Sequence, residues 1–289
     1  MSSHVLLEML NAYSYADEGG AAIALREVMQ SVCLLALARS NFFNHAAFYS
    51  GTALRLLYGL RRGSEDMVFS LLEPDMSFDL NDYAGAIENE FLSYGLKASF
   101  ARKEKHSHSN IQSAFLKSNT QQQLLTIGLD ADLSRMVNPH SQLKIKVEVD
   151  VQPPGGFNTE IKYLYQPVPF AVRSFTLPSL LAGKLHAVLY RSWKNRVKGR
   201  DWYDLLWYAG QHPDYDISHL ETRARQSGDY AETVPMTGAF VYSLLLEMLD
   251  GIDLAALKAD VLPFLRDGHE LDAWSKDMFQ DAFKRLKGI

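Results

Sequence analysis

Ser50-Gly51-Thr52-Ala53-Leu54, followed by Arg62-Gly63-Ser64-Glu65-Asp66-Met67-Val68-Phe69, is the stretch that decides the fold. A small-residue turn opens an apolar helix, Thr52 to Leu60, which Thr52 is suited to cap. A Gly-Ser turn then leads into a strand, Asp66 to Leu72, that begins on an aspartate. Backbone N–H groups at a helix start favour phosphate, and a carboxylate on a strand favours Mg²⁺. Residues two apart on a strand share a face, so Asp66 and Val68 point the same way. Two carboxylates there would clamp a metal ion. Val68 brings no donor atom, and Glu65 points to the opposite face.

Around this stretch the chain reads in three sections. Residues 1 to about 45 are helical by apolar spacing, with Gly19-Gly20 separating two segments that pack as a cap on the next lobe. Residues 46 to about 174 read as a mixed α/β lobe. It has a helix from Tyr83 to Leu92 ending near Gly95, and a hairpin of Lys97–Arg102 with Ile111–Leu116. In Leu143 to Val151, apolar residues alternate strictly with Lys144, Lys146, Glu148 and Asp150, the pattern of a half-buried strand with a charged face. From about 175 the pattern is helical: Pro178 near a helix start, Arg200 to Tyr208, Val234 to Leu249 and Asp272 to Leu286. The division expected is 1–174 and 175–289, and the class is α+β.

Bulk composition bounds the function. At 289 residues, 47% apolar and 22% charged, the chain is an ordinary globular protein with room for two lobes. A net charge of -5 excludes a general polycation for nucleic acid. The one cysteine, Cys33, excludes a disulfide framework and sits in an apolar run as a core residue. No signal peptide and no membrane span are expected, which fits a cytoplasmic protein.

Further candidates come from residue type and spacing. Glu148 or Asp150 would supply a second carboxylate from a neighbouring strand. Lys184, on the helix after Pro178, is a candidate phosphate ligand, and Arg191 shares its face. Asp201 and Asp204 are three apart on one helix face, and their bland alternative role is an ion pair with Lys184. Five cations between Arg191 and Arg200 form a run that could hold triphosphate or RNA backbone. His106 and His108 lie in a Lys- and Ser-rich turn without a carboxylate cluster and carry little weight as a metal site. Trp202-Tyr203 and Trp207-Tyr208 are expected in the core of the helical lobe.

The ordered set Ser50–Leu54, Arg62–Asp66, Lys146–Glu148, Lys184–Arg191 and Arg200–Asp204 resembles the AbiEii/AbiGii nucleotidyltransferase toxins, which include the MenT toxins. The resemblance spans about residues 45 to 210. It implies a polymerase-β-like nucleotidyltransferase lobe with a mixed sheet, followed by a helical C-terminal lobe. It implies a Mg²⁺-dependent toxin of a toxin–antitoxin or abortive-infection system, with a separately encoded antitoxin. Its reaction would move NMP from NTP to an acceptor, RNA (in some members tRNA) or protein. Carried over, Asp66, Lys184 and Asp201 or Asp204 are catalytic. Gly51, Thr52, Arg62, Ser64, Lys184 and Arg191 are nucleotide-binding, and Asp66 with Glu148 or Asp150 holds the metal. Ser50 stands where the family often has glycine, and Val68 where it has the second metal aspartate. Two readings result: an enzyme weakened or silenced at position 68, which is the expectation, or a pseudoenzyme that holds a nucleotide or partner without turnover.

Overall fold

The structure is a computed structural model that describes residues 2–13, 18–102, 109–128, 137–191 and 198–289. The chain divides into two compact units. The first holds Met1–Leu57, Glu65–Pro153 and Ile161–Ser174. The second holds Phe175–Ile289 and two short earlier pieces, Tyr58–Ser64 and Pro154–Glu160. The architecture is α+β, as expected.

The first unit contains a seven-stranded mixed sheet in the order β3-β4-β5-β2-β1-β7-β6. The strands are β1 (Ala46–Tyr49), β2 (Met67–Leu71), β3 (Ser99–Arg102), β4 (Ile111–Asn119), β5 (Gln142–Asp150), β6 (Thr159–Leu164) and β7 (Phe170–Phe175). β2 runs antiparallel to β1 and parallel to β5. The alternation read in β5 holds, since Leu143, Ile145, Val147 and Val149 are buried. With Met67 and Phe69 they join one core with Val28, Val32 and Leu35 of helix α2 (Glu18–Arg39). That helix follows α1 (Ser2–Asn11) and is part of the core itself, more than a cap. Gly19 and Gly20 lie inside its first turn, so the expected break falls before them. A window of α2, Gly20–Arg39, is long and apolar enough to cross a membrane, but 78% of it is buried within the protein, so packing accounts for its composition. Cys33 is fully buried there, which pushes its thiol up to about 12.

Helices α3 (Gly51–Tyr58), α4 (Ala84–Ser93) and α5 (Thr120–Ile127) complete this unit. Gly95 follows α4 at φ 75, as the expected terminator. The hairpin β3–β4 forms as expected, while His106 and His108 lie outside the described residues.

The second unit is helical, with α6 (Leu177–Tyr190), α7 (Gly199–Gln211), α8 (Ile217–Ser227), α9 (Gly238–Asp250), α10 (Leu254–Val261) and α11 (Lys276–Arg285). The last two helices expected from periodicity begin about four residues later than read. Thr237 and Ser275 cap them, their side chains accepting the Phe240 and Met278 N–H groups. Trp202, Tyr203, Trp207 and Tyr208 are all buried. Trp202 packs edge-on against Phe279, ring centroids 5.3 Å apart.

Gly199 opens α7 against the backbone of α10. A Cβ there would overlap the carbonyl group of Leu257, whose carbonyl carbon would be 3.0 Å away. Gly199→Ala is expected to cost about 1–3 kcal/mol by overpacking. Urea unfolding followed by tryptophan fluorescence checks this, and an unchanged midpoint would show that the contact relaxes freely.

Candidate active site

In the first unit, Gly51 is buried at the first turn of α3. Thr52, expected as cap and nucleotide ligand, is instead fully buried inside the helix, and its hydroxyl donates to the Asp66 carbonyl. It therefore ties the helix to the residue before β2. The residue at the helix entrance is Ser50, with φ 106, a conformation at ease only for glycine.

Asp66 is exposed and directly precedes β2. The Ser64–Asp66 turn is held from α2, where the Gln30 amide donates to the Glu65 carbonyl at 3.1 Å. The Arg26 guanidinium lies 3.8 Å from the Glu65 carboxylate. On β2, Val68 pairs in register with Glu148 of β5, and Ser70 with Asp150. Glu148 is thus the carboxylate beside position 68. It is bound by the Lys146 ammonium at 2.7 Å and by the Ser113 hydroxyl at 3.0 Å. Asp150 accepts the Gln152 N–H at 3.0 Å, a turn contact.

These donors fit a divalent cation only in part. Glu148 flanks position 68 and Asp66 precedes the same strand, but Val68 adds nothing. Among the described residues no group of three His, Cys, Asp or Glu side chains stands together as a metal site.

In the second unit, four charged groups form one buried set. The Arg62 guanidinium donates to both Asp204 oxygens, Nε to Oδ1 at 2.7 Å and Nη2 to Oδ2 at 2.6 Å. Its Nη1 donates to the Gly63 carbonyl at 3.0 Å. The Lys184 ammonium lies 2.7 Å from Asp204 Oδ2 and 2.8 Å from Asp201 Oδ1. Burial, the largest influence, would lower the Arg62 pKa, but Asp204 together with Asp201 and Tyr203 raises it above the ordinary value. Burial, the largest influence, would raise the Asp201 pKa, yet Lys184 together with Arg62 and Lys198 holds it below the usual carboxylate range.

The ion pair expected as the bland role of Lys184 therefore exists, and with both aspartates. Arg62, expected at the nucleotide, is 2% exposed and donates to Asp204 and to the Gly63 carbonyl. Arg191 is exposed at the end of α6, and Ser64 lies in the 58–64 piece of the second unit. Most of the cationic run, 192–197, lies outside the described residues.

Sequence reading missed the network around Glu27. This 2%-exposed carboxylate on α2 accepts from Arg55 Nε of α3 at 2.9 Å and from the Tyr13 hydroxyl at 2.7 Å. Its only sequence signal was a charge inside an apolar helix.

The family model described as nucleotidyl transferase AbiEii toxin, type IV toxin–antitoxin system, matches residues 32–285. The chain belongs to that family, and as such is a nucleotidyltransferase toxin of a type IV toxin–antitoxin system. No curated protein matches it by sequence. Among solved structures it is similar to MenT4, a nucleotidyltransferase toxin from Mycobacterium tuberculosis H37Rv. There the TM-score is 0.53 at 15% identity, over 99% of this chain and 89% of that one. It is also similar to JHP933 from Helicobacter pylori, with a TM-score of 0.52 at 16% identity, over 94% and 95% of the two chains. These likenesses bear on the fold.

Two outcomes are expected from the geometry. Ser50→Gly removes a non-glycine residue from the left-handed region and should stabilise the protein by about 1 kcal/mol or more. A melting temperature that stays level or falls would show that Ser50 carries no strain. Asp201, with its pKa lowered in the folded state, contributes stability that is complete above the unfolded value of about 3.9. That stability is lost as pH falls through the folded value. The difference in unfolding free energy between the protein and Asp201→Asn should thus be larger at neutral pH than near pH 3. A pH-independent difference would contradict it.

Proposed function

We propose that this chain transfers NMP from an NTP to a hydroxyl of an RNA acceptor, tRNA being the candidate class, at a rate limited by Val68. The observation that carries this reading is the register of β2 on β5, which sets Glu148 directly beside position 68. Asp66 and Glu148 would hold Mg²⁺, which supplies charge neutralisation on the phosphates when bound. Gly51 and Ser64 would contribute backbone N–H groups to phosphate oxygens. Lys184 would neutralise triphosphate charge, with Asp201 or Asp204 as its partner, and Arg191 would add to the local positive charge. The acceptor oxygen forms a bond to the α-phosphorus, the bond from that phosphorus to the bridging oxygen breaks, pyrophosphate leaves, and the hydroxyl proton passes to a carboxylate or water. Arg191 to Arg200 is the candidate contact for the RNA backbone. Such a protein would act in the cytoplasm, where NTPs and RNA are, and would be countered by a separately encoded antitoxin.

Val68→Asp restores a carboxylate on the face shared with Glu148. Incubation with each labelled NTP and total RNA should show transfer at least about tenfold above the unmodified chain, since a metal ligand contributes several kcal/mol. Induced in cells, the variant should be the more toxic. If it is neither more active nor more toxic, Val68 is not the limiting defect. Val68 itself favours one alternative, a pseudoenzyme that binds nucleotide or a partner without turnover. Measurable transfer by the unmodified chain would exclude it.

A further inference from the structure

We propose that Arg62 and Asp204 are positioning residues that form a fixed seat for the Lys184 ammonium, and that Asp201 is the exchangeable partner that an incoming phosphate group replaces on Lys184. The exchange rests on the reading that Lys184 receives phosphate; the seat does not.

The two aspartates are adjacent on one helix face but are held very differently. Asp204 has 0% side-chain exposure, takes Arg62 on both oxygens and takes Lys184 on one of them. Turning it away would leave the 3%-exposed Arg62 side chain as an unpaired buried charge, a strongly destabilising change. Arg62 is itself fixed at the chain, because the Gly63 N–H donates to the Phe264 carbonyl at 2.8 Å and the Gly63 carbonyl accepts from Arg62. Asp201 has 15% side-chain exposure, and among the described residues its carboxylate accepts one hydrogen bond, from Lys184. Its release leaves Lys184 still bound to Asp204.

Charge balance gives the exchange its direction. Within the set of four, two cations and two carboxylates sum to zero, with Lys198 adding positive charge near Asp201, so the charge of Lys184 is already matched while both carboxylates are engaged. A polyanion gains Lys184 only by displacing one of them, and only Asp201 can leave without stranding Arg62. Asp201 lies in the first turn of α7, where the helix dipole favours an anion, so a phosphate oxygen replacing the carboxylate meets the same field.

The test uses the full chain, tripolyphosphate and ATP as probes, and two readouts: calorimetry, and Lys184 amine labelling as a function of pH by mass spectrometry. Asp201→Asn should bind tripolyphosphate at least about tenfold more tightly than the unmodified chain, with a smaller loss of melting temperature than Asp204→Asn, and the probe should protect Lys184 from labelling. Arg62→Lys keeps the charge but loses the two-pronged contact. It should raise Lys184 labelling severalfold without ligand and shift its pH midpoint, which a general loss of stability alone would not do at temperatures well below melting. Asp204→Asn should be the least stable of the three. Weaker tripolyphosphate binding by Asp201→Asn would overturn the exchange, showing that Asp201 helps hold the ligand. Unchanged ligand-free labelling in Arg62→Lys would overturn the seat. If neither probe protects Lys184 in any protein, the phosphate reading and the exchange both fall, while the ligand-free labelling still decides the seat.

Discussion

The buried two-pronged pair between Arg62 and Asp204 is the constraint on which the second unit's charged set depends. A guanidinium and a carboxylate removed from water carry a desolvation cost of several kcal/mol each, offset only when their geometry is near ideal. Here both carboxylate oxygens are engaged within 2.7 Å. The pair recruits residues 58–64 into the helical unit, although they stand in sequence between α3 and β2. Tyr58 secures the same piece, its hydroxyl donating to Glu160 at 2.8 Å and to the Phe175 carbonyl at 2.9 Å. Lys184 then takes its place against an anion that is already fixed. Gly199 sets the start of α7 by letting two backbones approach closely, and so sets where Asp201 and Asp204 emerge.

The first unit solves a different problem. Helix α2 is apolar enough to fill the core against β2 and β5, yet its polar residues Arg26, Glu27 and Gln30 make specific contacts. Glu27 anchors α3 through Arg55, and Gln30 holds the Glu65 carbonyl, while Thr52 reaches the Asp66 carbonyl from α3. A turn held from two helices places Asp66 at the head of β2. The carboxylate itself stays exposed. On β2, Val68 is the residue paired in register with Glu148.

Much of this was legible in the sequence, because the relevant signals are local. Alternation in residues 143–151 marked a half-buried strand, Gly95 and Pro178 marked helix ends, and the 47% apolar content implied large cores. The ordered motifs from Ser50 to Asp204 identified the family, and spacing alone put Asp201 and Asp204 on one helix face. Side-chain pattern also showed that Asp66 and Val68 share a direction, a consequence of the period of two in any strand.

Only the tertiary structure decided the contacts between residues distant in sequence. Arg62 lies 142 residues from Asp204, and no periodicity reports such a pairing. Its expected place at a nucleotide came from the family resemblance, which says nothing of this pairing. Thr52 looked like a cap because its type favours one, but burial turned its hydroxyl to the Asp66 carbonyl. Glu148 and Asp150 were equivalent by alternation, and the parallel register of β5 on β2 set Glu148 beside Val68. Local sequence determines which face a side chain occupies, whereas strand register and helix packing determine which other charge it meets there.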